Sequence, residues 1–438
     1  MGRAVLRIIR ILLLLGLLTT AFIAIEAQAA TSTIDVLHVE GVINPVVVDY
    51  TKRGIEHAED TNAVACIIQL DTPGGLDTSM RDIIKDIVNA RVPVVVYVSP
   101  SGARAASAGV FITVAAHVAA MAPNTAIGAA SPVAMGEGGE QQMSETMKEK
   151  IVNDAAAYIR SLAEAQGRNM EWAEKAVREA VSATEQEALE LNVIDMVAPD
   201  LETLVSQLDG RQVTMLGGAV ITLNTQGATI NHISMNTVED FLYAISDPNI
   251  AYLLLSLAML GIMAEISNPG LIFPGVVGAI CLLMAFFSLG MLPVNYAGIL
   301  LIVLAFALFI AEVFTVTFGL FTAGGLTALI LGSLILFKGG PLFQVNPWLI
   351  ATVSIIIAAL VAFVINRAIQ AYRRQPATGR EELIGKTALV KAALDPEGIV
   401  FFRGERWTAE SEEGPVEPGE TVVINKVDAL KLYVTKKQ

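Results

Sequence analysis

The first part of the chain alternates short apolar runs with amphipathic segments. IDVLHVEGVI (34–43), AVACIIQLD (63–71) and VPVVVYVSP (92–100) have the composition of buried strands. The segments between them, VVDYTKRGIEHAED and TSMRDIIKDIVNA, have the spacing of helices with one apolar face. Strands that alternate with helices predict βαβ units and a largely parallel sheet. With later helices around 144–166 and 171–180, this pattern predicts an α/β domain over residues 30–200.

The pattern changes after residue 200. Residues 201–249 predict a linker with short strands and an amphipathic approach to a membrane. Apolar segments near the length of a membrane crossing then fill residues 250–366, at about 250–266, 271–290, 296–314, 318–337 and 348–365. We therefore expect about five transmembrane helices.

The apolar region contains an internal repeat. Ala264-Glu265 precedes GLIFPGVVGAI from Gly270, and Ala311-Glu312 precedes GLFTAGGLTAL from Gly319. Each copy predicts a helix, a glycine-containing break and another helix in the same orientation, with small residues that allow close packing. Acidic residues inside a membrane are costly, so Glu265 and Glu312 are candidates for a functional role. The alternative is that they cap the helices locally.

The last stretch, residues 378–438, is polar again. IGKTALVKAAL, GIVFFRG, ERWTAES, ETVVINKV and LKLYVTKK are five short strand candidates separated by Gly turns. They predict a small closed barrel of the OB type. Because no clear aromatic and basic groove accompanies these strands, we expect the barrel to contact protein rather than nucleic acid.

Composition agrees with a membrane protein that carries soluble parts. Hydrophobic residues make up 54% of the chain and the mean hydropathy is +0.58. The net charge of −14 argues against nucleic acid as a partner. Two separate cysteines, Cys66 and Cys281, and four scattered histidines predict no disulfide, no metal site and no cofactor.

The N-terminus predicts export. Arg3, Arg7 and Arg10 precede the apolar run 11–25, and Ala27-Gln28-Ala29 fits the small-x-small rule, so residues 1–29 read as a signal peptide. An uncleaved anchor is the alternative, and both place the next domain outside the cytoplasm. RAIQAYRR follows the last apolar segment, and its arginines predict a cytoplasmic side there, as five crossings from an outside start require.

One candidate for chemistry is Ser107, in SGARAASAG just after the 92–100 strand. LDTPGG (70–75) also follows a strand, and sites form beyond the carboxyl ends of parallel strands. Ser107 would begin a helix, where free N–H groups suit an oxyanion, so the N–H groups of Gly75 and Ala108 are candidate donors. Packing in a helix is the alternative for a lone serine among small residues.

A nucleophilic serine needs a base. His117 lies ten residues along the same helix, roughly 15 Å away, and His57 is expected at the other end of the sheet. A lysine can serve if burial lowers its pKa. Lys148 and Lys150 open the next long helix, and the helical wheel favours Lys148.

LDTPGG, SGARAASAG and MAPNTAIGAASP together resemble the ClpP-class membrane serine proteases of the long NfeD type, and SppA more distantly. The resemblance covers nearly the whole chain and implies a ClpP/crotonase-like α/β domain, transmembrane helices and an OB-type barrel. It implies a Ser-Lys dyad in which Ser107 is the nucleophile and Lys150, in K-I-x-N-x-x-x-Y-I, is the base. Soluble ClpP has a histidine where this chain has Ala130.

The resemblance implies a serine endopeptidase that cleaves hydrophobic segments of membrane proteins, including stomatin-like (SPFH) partners, and that forms oligomers beside membrane lipid. A membrane scaffold for SPFH partners with little or no proteolysis is the alternative. An acyl-CoA enzyme on the crotonase fold is disfavoured, because coenzyme A is cytoplasmic. The Gly-rich stretch 136–147 is a candidate lid.

Overall fold

The structure is a computed structural model that describes residues 32–132, 144–268, 270, 272–315, 319–338, 343–373 and 380–437. The predicted signal peptide and most of the candidate lid lie outside the described residues. The chain forms two compact units, which are described separately: residues 1–310 with 323–354, and residues 311–322 with 355–438.

The first unit is built on a parallel six-stranded sheet, in the order β11-β1-β2-β3-β5-β8. Its strands are β1 (Thr33–Glu40), β2 (Ala65–Asp71), β3 (Val94–Val98), β5 (Val118–Met121), β8 (Met196–Val197) and β11 (Thr229–Ile233). A second, three-stranded sheet has the order β4-β6-β7 and contains β4 (Arg104–Ala106), β6 (Ala126–Gly128) and β7 (Ser182–Thr184). The predicted α/β class with a largely parallel sheet is confirmed.

Helices cover the sheet. They are α1 (Pro45–Asp60), α2 (Asp77–Asn89), α3 (Ala108–Ala115), α4 (Glu145–Ala165), α5 (Met170–Arg178), α6 (Glu185–Glu190) and α7 (Leu201–Leu208). All five residues of β3 are buried, because apolar clusters pack against both faces of the sheet. This burial explains why the strands are continuous apolar runs rather than alternating ones.

The stretch expected to be a linker contributes to this sheet. β11 pairs with β1 in parallel, so residues beyond 200 supply an edge strand of the main sheet. A short hairpin of β9 (Gln212–Thr214) and β10 (Val220–Thr222) precedes it, and the helix α8 (Thr237–Ile245) follows it. The sequence predicted short strands here, but it did not show that one of them pairs with β1, because the polar positions of β11 carry no signal of which sheet the strand joins.

Apolar helices follow at the expected places: α9 (Pro248–Ser267), α10 (Phe273–Met291), α11 (Tyr296–Phe314), α12 (Leu320–Leu334) and α13 (Pro347–Arg373). Among the described residues, four helices are long and apolar enough to cross a membrane, and α12 is shorter. Gly261 and Gly278 let α9 and α10 approach closely, since a Cβ on Gly261 would lie 2.7 Å from the Gly278 Cα.

The two copies of the repeat use their acids in the same way. Glu265 Oε1 accepts a hydrogen bond from the N–H of Gly270 at 3.4 Å. Glu312 accepts from the N–H groups of Gly319 and Thr322, each at 3.0 Å. Both glycines have positive φ, 109° and 91°, which a side chain rarely adopts. The contacts are those of the local capping alternative, and a further function of these acids stays a prediction.

The second unit contains the predicted barrel. Five strands close in the order β12-β13-β14-β16-β15, with a core of mostly aliphatic side chains. They are β12 (Thr387–Ala392), β13 (Glu397–Phe402), β14 (Glu405–Ser411), β15 (Thr421–Asp428) and β16 (Lys431–Lys436). The expected small closed barrel of the OB type is therefore confirmed.

Candidate active site

The segment after β2 lies between β4 and the end of β1. Thr72 forms a parallel bridge with Ala105 of β4, and Gly75 forms one with Ile43. The N–H of Ala106 donates to the Thr72 carbonyl at 3.0 Å. The PGG turn therefore runs directly beside the residues that lead into Ser107, and the structure brings both predicted stretches together.

Ser107 lies at a sharp turn from β4 into α3. Its backbone has φ 52° and ψ −113°, a conformation that a non-glycine residue adopts only when its surroundings impose it. The N–H of Ser107 donates to the Gly128 carbonyl at 3.2 Å, which ties the turn to β6. Among the described residues, the Ser107 hydroxyl has no hydrogen-bond partner, although it stands at the N-cap of α3. A half-buried, unengaged hydroxyl on a strained turn is the geometry of an available nucleophile.

Gly74 makes room for this hydroxyl. A Cβ on Gly74 would lie 2.7 Å from the Ser107 Cβ and 3.1 Å from its Oγ. The Gly74 φ of +120° also excludes most side chains. Thr72 holds the turn, because its Oγ1 accepts from the Gly74 N–H at 3.0 Å and lies 3.1 Å from the Gly74 carbonyl. Sequence reasoning missed Thr72, although a threonine two residues before a glycine is a known turn signal.

Two backbone N–H groups are available beside Ser107. The Ile43 N–H donates to the Gly74 carbonyl, and the Leu76 N–H donates to the Ile43 carbonyl, each at 2.9 Å. Gly75 lies between these two hydrogen bonds in the bridge, so its own N–H points away from Ile43. The Ala108 N–H begins α3 and has no partner within the helix. Neither group has an acceptor within the part of the chain that the structure describes. These are the two donors predicted for an oxyanion.

The helix that carries the lysines runs in the same direction as α3. The rings of Phe111 and Tyr158 stack with centroids 6.2 Å apart, and the Gln166 side chain donates to the Ala115 carbonyl at 3.2 Å. Phe111 precedes Ala115 in one helix, and their partners Tyr158 and Gln166 follow the same order in the other. The N-terminal ends of α3 and α4 therefore lie on the same side of the domain. Ser144 caps α4, since its side chain accepts from the N–H of Met147.

Lys148 and Lys150 lie on different faces of α4. Lys148 precedes the buried Ala155 by two turns, so it continues the core-facing stripe, as the helical wheel indicates. Lys150 lies one turn before Asp154, which pairs with Arg81 of α2 at 2.5 Å. Both lysines are exposed, and of the hydrogen bonds between described residues none joins either lysine to Ser107. The implied dyad of Ser107 and Lys150 therefore stays a prediction.

Arg81 ties together the helices around this site, and sequence reasoning missed it. Its guanidinium contacts Asp77 at 2.9 Å and lies over the ring of Tyr158, 4.5 Å from the centroid. Burial raises the pKa of the Tyr158 hydroxyl, and the Arg81 charge opposes that rise. Because Asp77 begins the helix that follows Gly75, Arg81 connects the first turn of α2 to the N-terminal half of α4.

His57 and His117 are both engaged at the amino ends of strands. His57 contacts Asp35 near the start of β1, with 2.6 Å between Nδ1 and Oδ2. His117 accepts from the N–H of Val94, the first residue of β3, at 3.1 Å. Burial and the charge of Arg168 lower the His117 pKa to about 4. Neither histidine is placed to serve Ser107.

The other serines near the site are turn residues. Ser101 donates to the Pro123 carbonyl at 2.8 Å, and Ser131 donates to the Val177 carbonyl at 2.6 Å. Ala130 is buried and has no side-chain group that could act as a base. Cys66 is buried in β2 and its pKa is raised by that burial, while both Cys66 and Cys281 are free thiols.

The fold and the site define a membrane protein with an exposed α/β domain, a serine at a strand-to-helix turn and a separate barrel. Family models match in the same order: the NfeD1b N-terminal domain at 33–234, the NfeD integral membrane domain at 249–367 and the NfeD-like C-terminal, partner-binding domain at 380–436.

The chain is similar to curated relatives over almost its full length. The chain is 38% identical to Membrane-bound protease PH1510 of Pyrococcus horikoshii, over 97% of this chain and 98% of the relative. It is 28% identical to Membrane protein NfeD1b of Bacillus subtilis, over 96% and 97% of the two chains. The chain belongs to the NfeD family, which confirms the predicted resemblance.

Among solved structures, the 1510-N membrane-bound stomatin-specific protease matches, as a lysine-to-alanine mutant in complex with a substrate peptide. The match has a TM-score of 0.46 and 35% identity, and it covers 49% of this chain and 98% of that chain.

Proposed function

We propose that this protein is a membrane-bound serine endopeptidase with Ser107 as its nucleophile. The observation that carries the proposal is the Ser107 turn: a positive-φ serine whose hydroxyl has no partner among the described residues and which contacts Gly74. Plain helix packing does not need that strain, and such strain is concentrated at functional sites. The name of the Pyrococcus horikoshii relative, a membrane-bound protease, supports the same activity.

The reaction is acyl transfer. A neutral Lys150 amine removes the Ser107 proton as Oγ attacks a peptide carbonyl, and the resulting oxyanion accepts hydrogen bonds from the Gly75 and Ala108 N–H groups. The C–N bond then breaks, and the Lys150 ammonium returns the proton to the leaving amine. Water, deprotonated by Lys150, hydrolyses the ester and restores Ser107. A single oxyanion donor of this kind contributes about 10²–10³-fold to kcat.

The lysine must lose its solvation before it can act as a base. Lys150 is exposed in this structure, so the proposal requires that bound substrate covers it, because desolvation favours the neutral amine. Its position one turn before the Asp154–Arg81 pair places it on the side of α2, whose first turn follows Gly75. Lys148 is the alternative base.

The substrates are hydrophobic segments of membrane proteins, including stomatin/SPFH-type partners. Small side chains surround Ser107, which suits small or apolar residues at the cleavage point. A solved structure similar to part of this chain is that of a stomatin-specific protease, and the C-terminal family model is of a partner-binding domain. The proposal also places the α/β domain outside the cytoplasm and the barrel inside, because the arginines of RAIQAYRR follow the apolar segment 348–365.

Cleavage by the full-length protein tests the activity. The protein in lipid nanodiscs would be mixed with peptides from the apolar C-terminal region of a stomatin homologue, beside Ser107→Ala. We expect wild type to release fragments with a defined cut between small or apolar residues, and Ser107→Ala to release none. Cleavage that survives in Ser107→Ala would remove Ser107 from the reaction.

The second candidate function is a scaffold for SPFH partners with little or no proteolysis. The observation that favours it is that neither Lys148 nor Lys150 makes a hydrogen bond to Ser107, although all three residues are described. A scaffold would bind the partner equally well in wild type and in Ser107→Ala, without any cut in either sample.

A further inference from the structure

One strand of the barrel departs from the pattern that a barrel wall requires. A wall strand with one face toward the core and one toward water alternates apolar and polar residues. Residues 399–402 of β13, Ile-Val-Phe-Phe, are continuously apolar. Val400 and Phe402 are buried in the core, whereas Ile399 and Phe401 face outward and are each 39% exposed.

A neighbouring strand extends this outward apolar surface. Leu389 of β12 is 37% exposed and is the direct partner of Phe401 in the strand register. We name Leu389, Ile399 and Phe401 the outer patch. None of the three belongs to the apolar core of the barrel, so core packing does not explain them.

Two cations border the outer patch at opposite corners. Lys391, two residues after Leu389, has its Nζ 5.8 Å from the centroid of the Phe401 ring. Arg406 of β14 is the direct partner of Phe401 on the other side. In the described part of the chain neither has a carboxylate partner, whereas Lys431 pairs with Glu397 and Glu410.

The distance between Lys391 and Arg406 indicates what kind of partner structure could contact both. Lys391 and Arg406 are separated by two strand spacings and by two residues along a strand, which gives roughly 12 Å between their backbone positions. On a helix, residues about seven or eight apart lie on one face at a similar separation. An amphipathic helix with a carboxylate at each end of a short apolar face would cover the outer patch and pair both cations.

We infer that the outer patch, with Lys391 and Arg406, is the docking surface for an amphipathic, acidic-flanked helix of the partner protein. The partner-binding description of the C-terminal family model favours a protein over a membrane surface. The identity of that protein as a stomatin-type partner rests on the proposed function, but the docking surface itself does not depend on Ser107.

The test uses the full-length Ser107→Ala protein in zwitterionic nanodiscs, so that no peptide is cut. Two fluorescent helical peptides share a Leu-rich face and differ only in flanking Glu or Lys residues. We expect the Glu-flanked peptide to bind at least about tenfold more tightly in a fluorescence anisotropy titration, because like charges disfavour the other peptide. Equal binding of the two peptides would overturn the inference.

Two variants locate the binding. Phe401→Thr should weaken the Glu-flanked peptide about tenfold or more, because it removes the largest apolar contact while it keeps a good strand residue. Arg406→Glu should reverse the preference toward the Lys-flanked peptide. Leu216→Thr changes a residue that is 64% exposed in the β9–β10 hairpin, and it should leave affinity unchanged. In a Trp172→Phe and Trp348→Phe background, the Trp407 emission spectrum checks that the barrel remains folded.

The remaining outcomes are also decisive. Loss of affinity in Leu216→Thr but not in Phe401→Thr would place the docking surface elsewhere. Binding of anionic vesicles that depends on Arg406, without binding of either peptide, would identify a lipid surface instead of a protein partner. If the peptide still binds but Ser107 of the wild-type protein proves unreactive, the docking surface stands and the proposed protease activity falls. A failure of the one is therefore distinguishable from a failure of the other.

Discussion

The Cα of Gly74 lies against the side chain of Ser107, so closely that a Cβ on Gly74 would be 2.7 Å from the Ser107 Cβ. The two residues come from different strand ends, and the bridge between Thr72 and Ala105 brings them together. This contact makes the glycine turn a wall of the candidate site.

Gly74→Ala should therefore reduce peptidase activity more than it reduces stability. The new methyl group would displace the Ser107 hydroxyl, and the φ of +120° would add strain of about 1–3 kcal/mol. We expect kcat to fall by about 100-fold or more, as for a misplaced nucleophile. Steady-state cleavage and thermal unfolding would be measured together.

Gly102→Ala is the matched control for this substitution. Gly102 also has a positive φ, of +94°, but nothing lies within 4 Å of a Cβ there. It should lose stability from strain and keep its kcat. Equal losses of activity in the two variants would show that strain, and not contact with Ser107, is responsible.

The hydroxyl of Tyr243 should matter for catalysis although it lies on the helix before the first membrane span. It donates to the Glu40 carbonyl at 2.7 Å, just before the Gly41–Asn44 loop, and Ile43 in that loop bridges Gly75. Tyr243→Phe removes this tether, so we expect kcat to fall about three- to tenfold with little change in KM, as for one lost hydrogen bond of about 1 kcal/mol.

Tyr97→Phe controls for the loss of a buried hydrogen bond as such. The Tyr97 hydroxyl donates to the Ala198 carbonyl at 2.8 Å, and Tyr97 belongs to a different apolar cluster from Ile43. This variant should lose a similar amount of stability with unchanged kcat. A normal kcat in Tyr243→Phe would mean that the tether does not position the oxyanion donors.

The buried His117 should make the α/β domain less stable in mild acid. Its pKa is about 4 when folded, against an ordinary value of 6.5, so the unfolded chain takes up a proton between these pH values and the folded chain does not. Stability is therefore present above pH 6.5 and falls as the pH drops toward 4, by up to about 1.4 kcal/mol per pH unit.

His117→Asn should flatten this dependence, since asparagine does not titrate and still offers an acceptor to the Val94 N–H. Urea unfolding of residues 30–235 between pH 7 and pH 4.5 would measure it, with His38→Asn as the control at an exposed histidine. The same slope in wild type and His117→Asn would assign the acid sensitivity to other groups.

The sequence predicted most of the architecture because burial leaves a strong pattern. The apolar runs of β1, β2 and β3, the apolar helices and the barrel strands all appear where they are expected. The pairing of β11 with β1 escaped, because a short strand with polar positions carries no signal of which sheet it joins. Arg81 escaped for another reason: its role arises from a contact with Asp154, far along the chain. Thr72 contacts Gly74 only two residues away, so its local turn signal was present in the sequence and was missed.

The base is the part of the site that neither sequence nor structure fixes. The motif indicates Lys150, the helical wheel indicates Lys148, and both side chains are exposed at the start of α4. A surface lysine at a helix start carries no burial pattern from which its partner could be predicted. The contact between Asp154 and Arg81 places Lys150 toward α2, and this favours the motif.

Labelling of Ser107 by a fluorophosphonate probe tests the central claim most directly. The residue 30–235 fragment and the full-length protein would each be treated as wild type, Ser107→Ala, Lys150→Ala and Lys148→Ala, after circular dichroism shows that they are folded. We predict labelling of wild type and Lys148→Ala, and none of Ser107→Ala or Lys150→Ala. Labelling that survives in Lys150→Ala but not in Lys148→Ala would move the base, and no labelling of wild type in either form would contradict an activated Ser107.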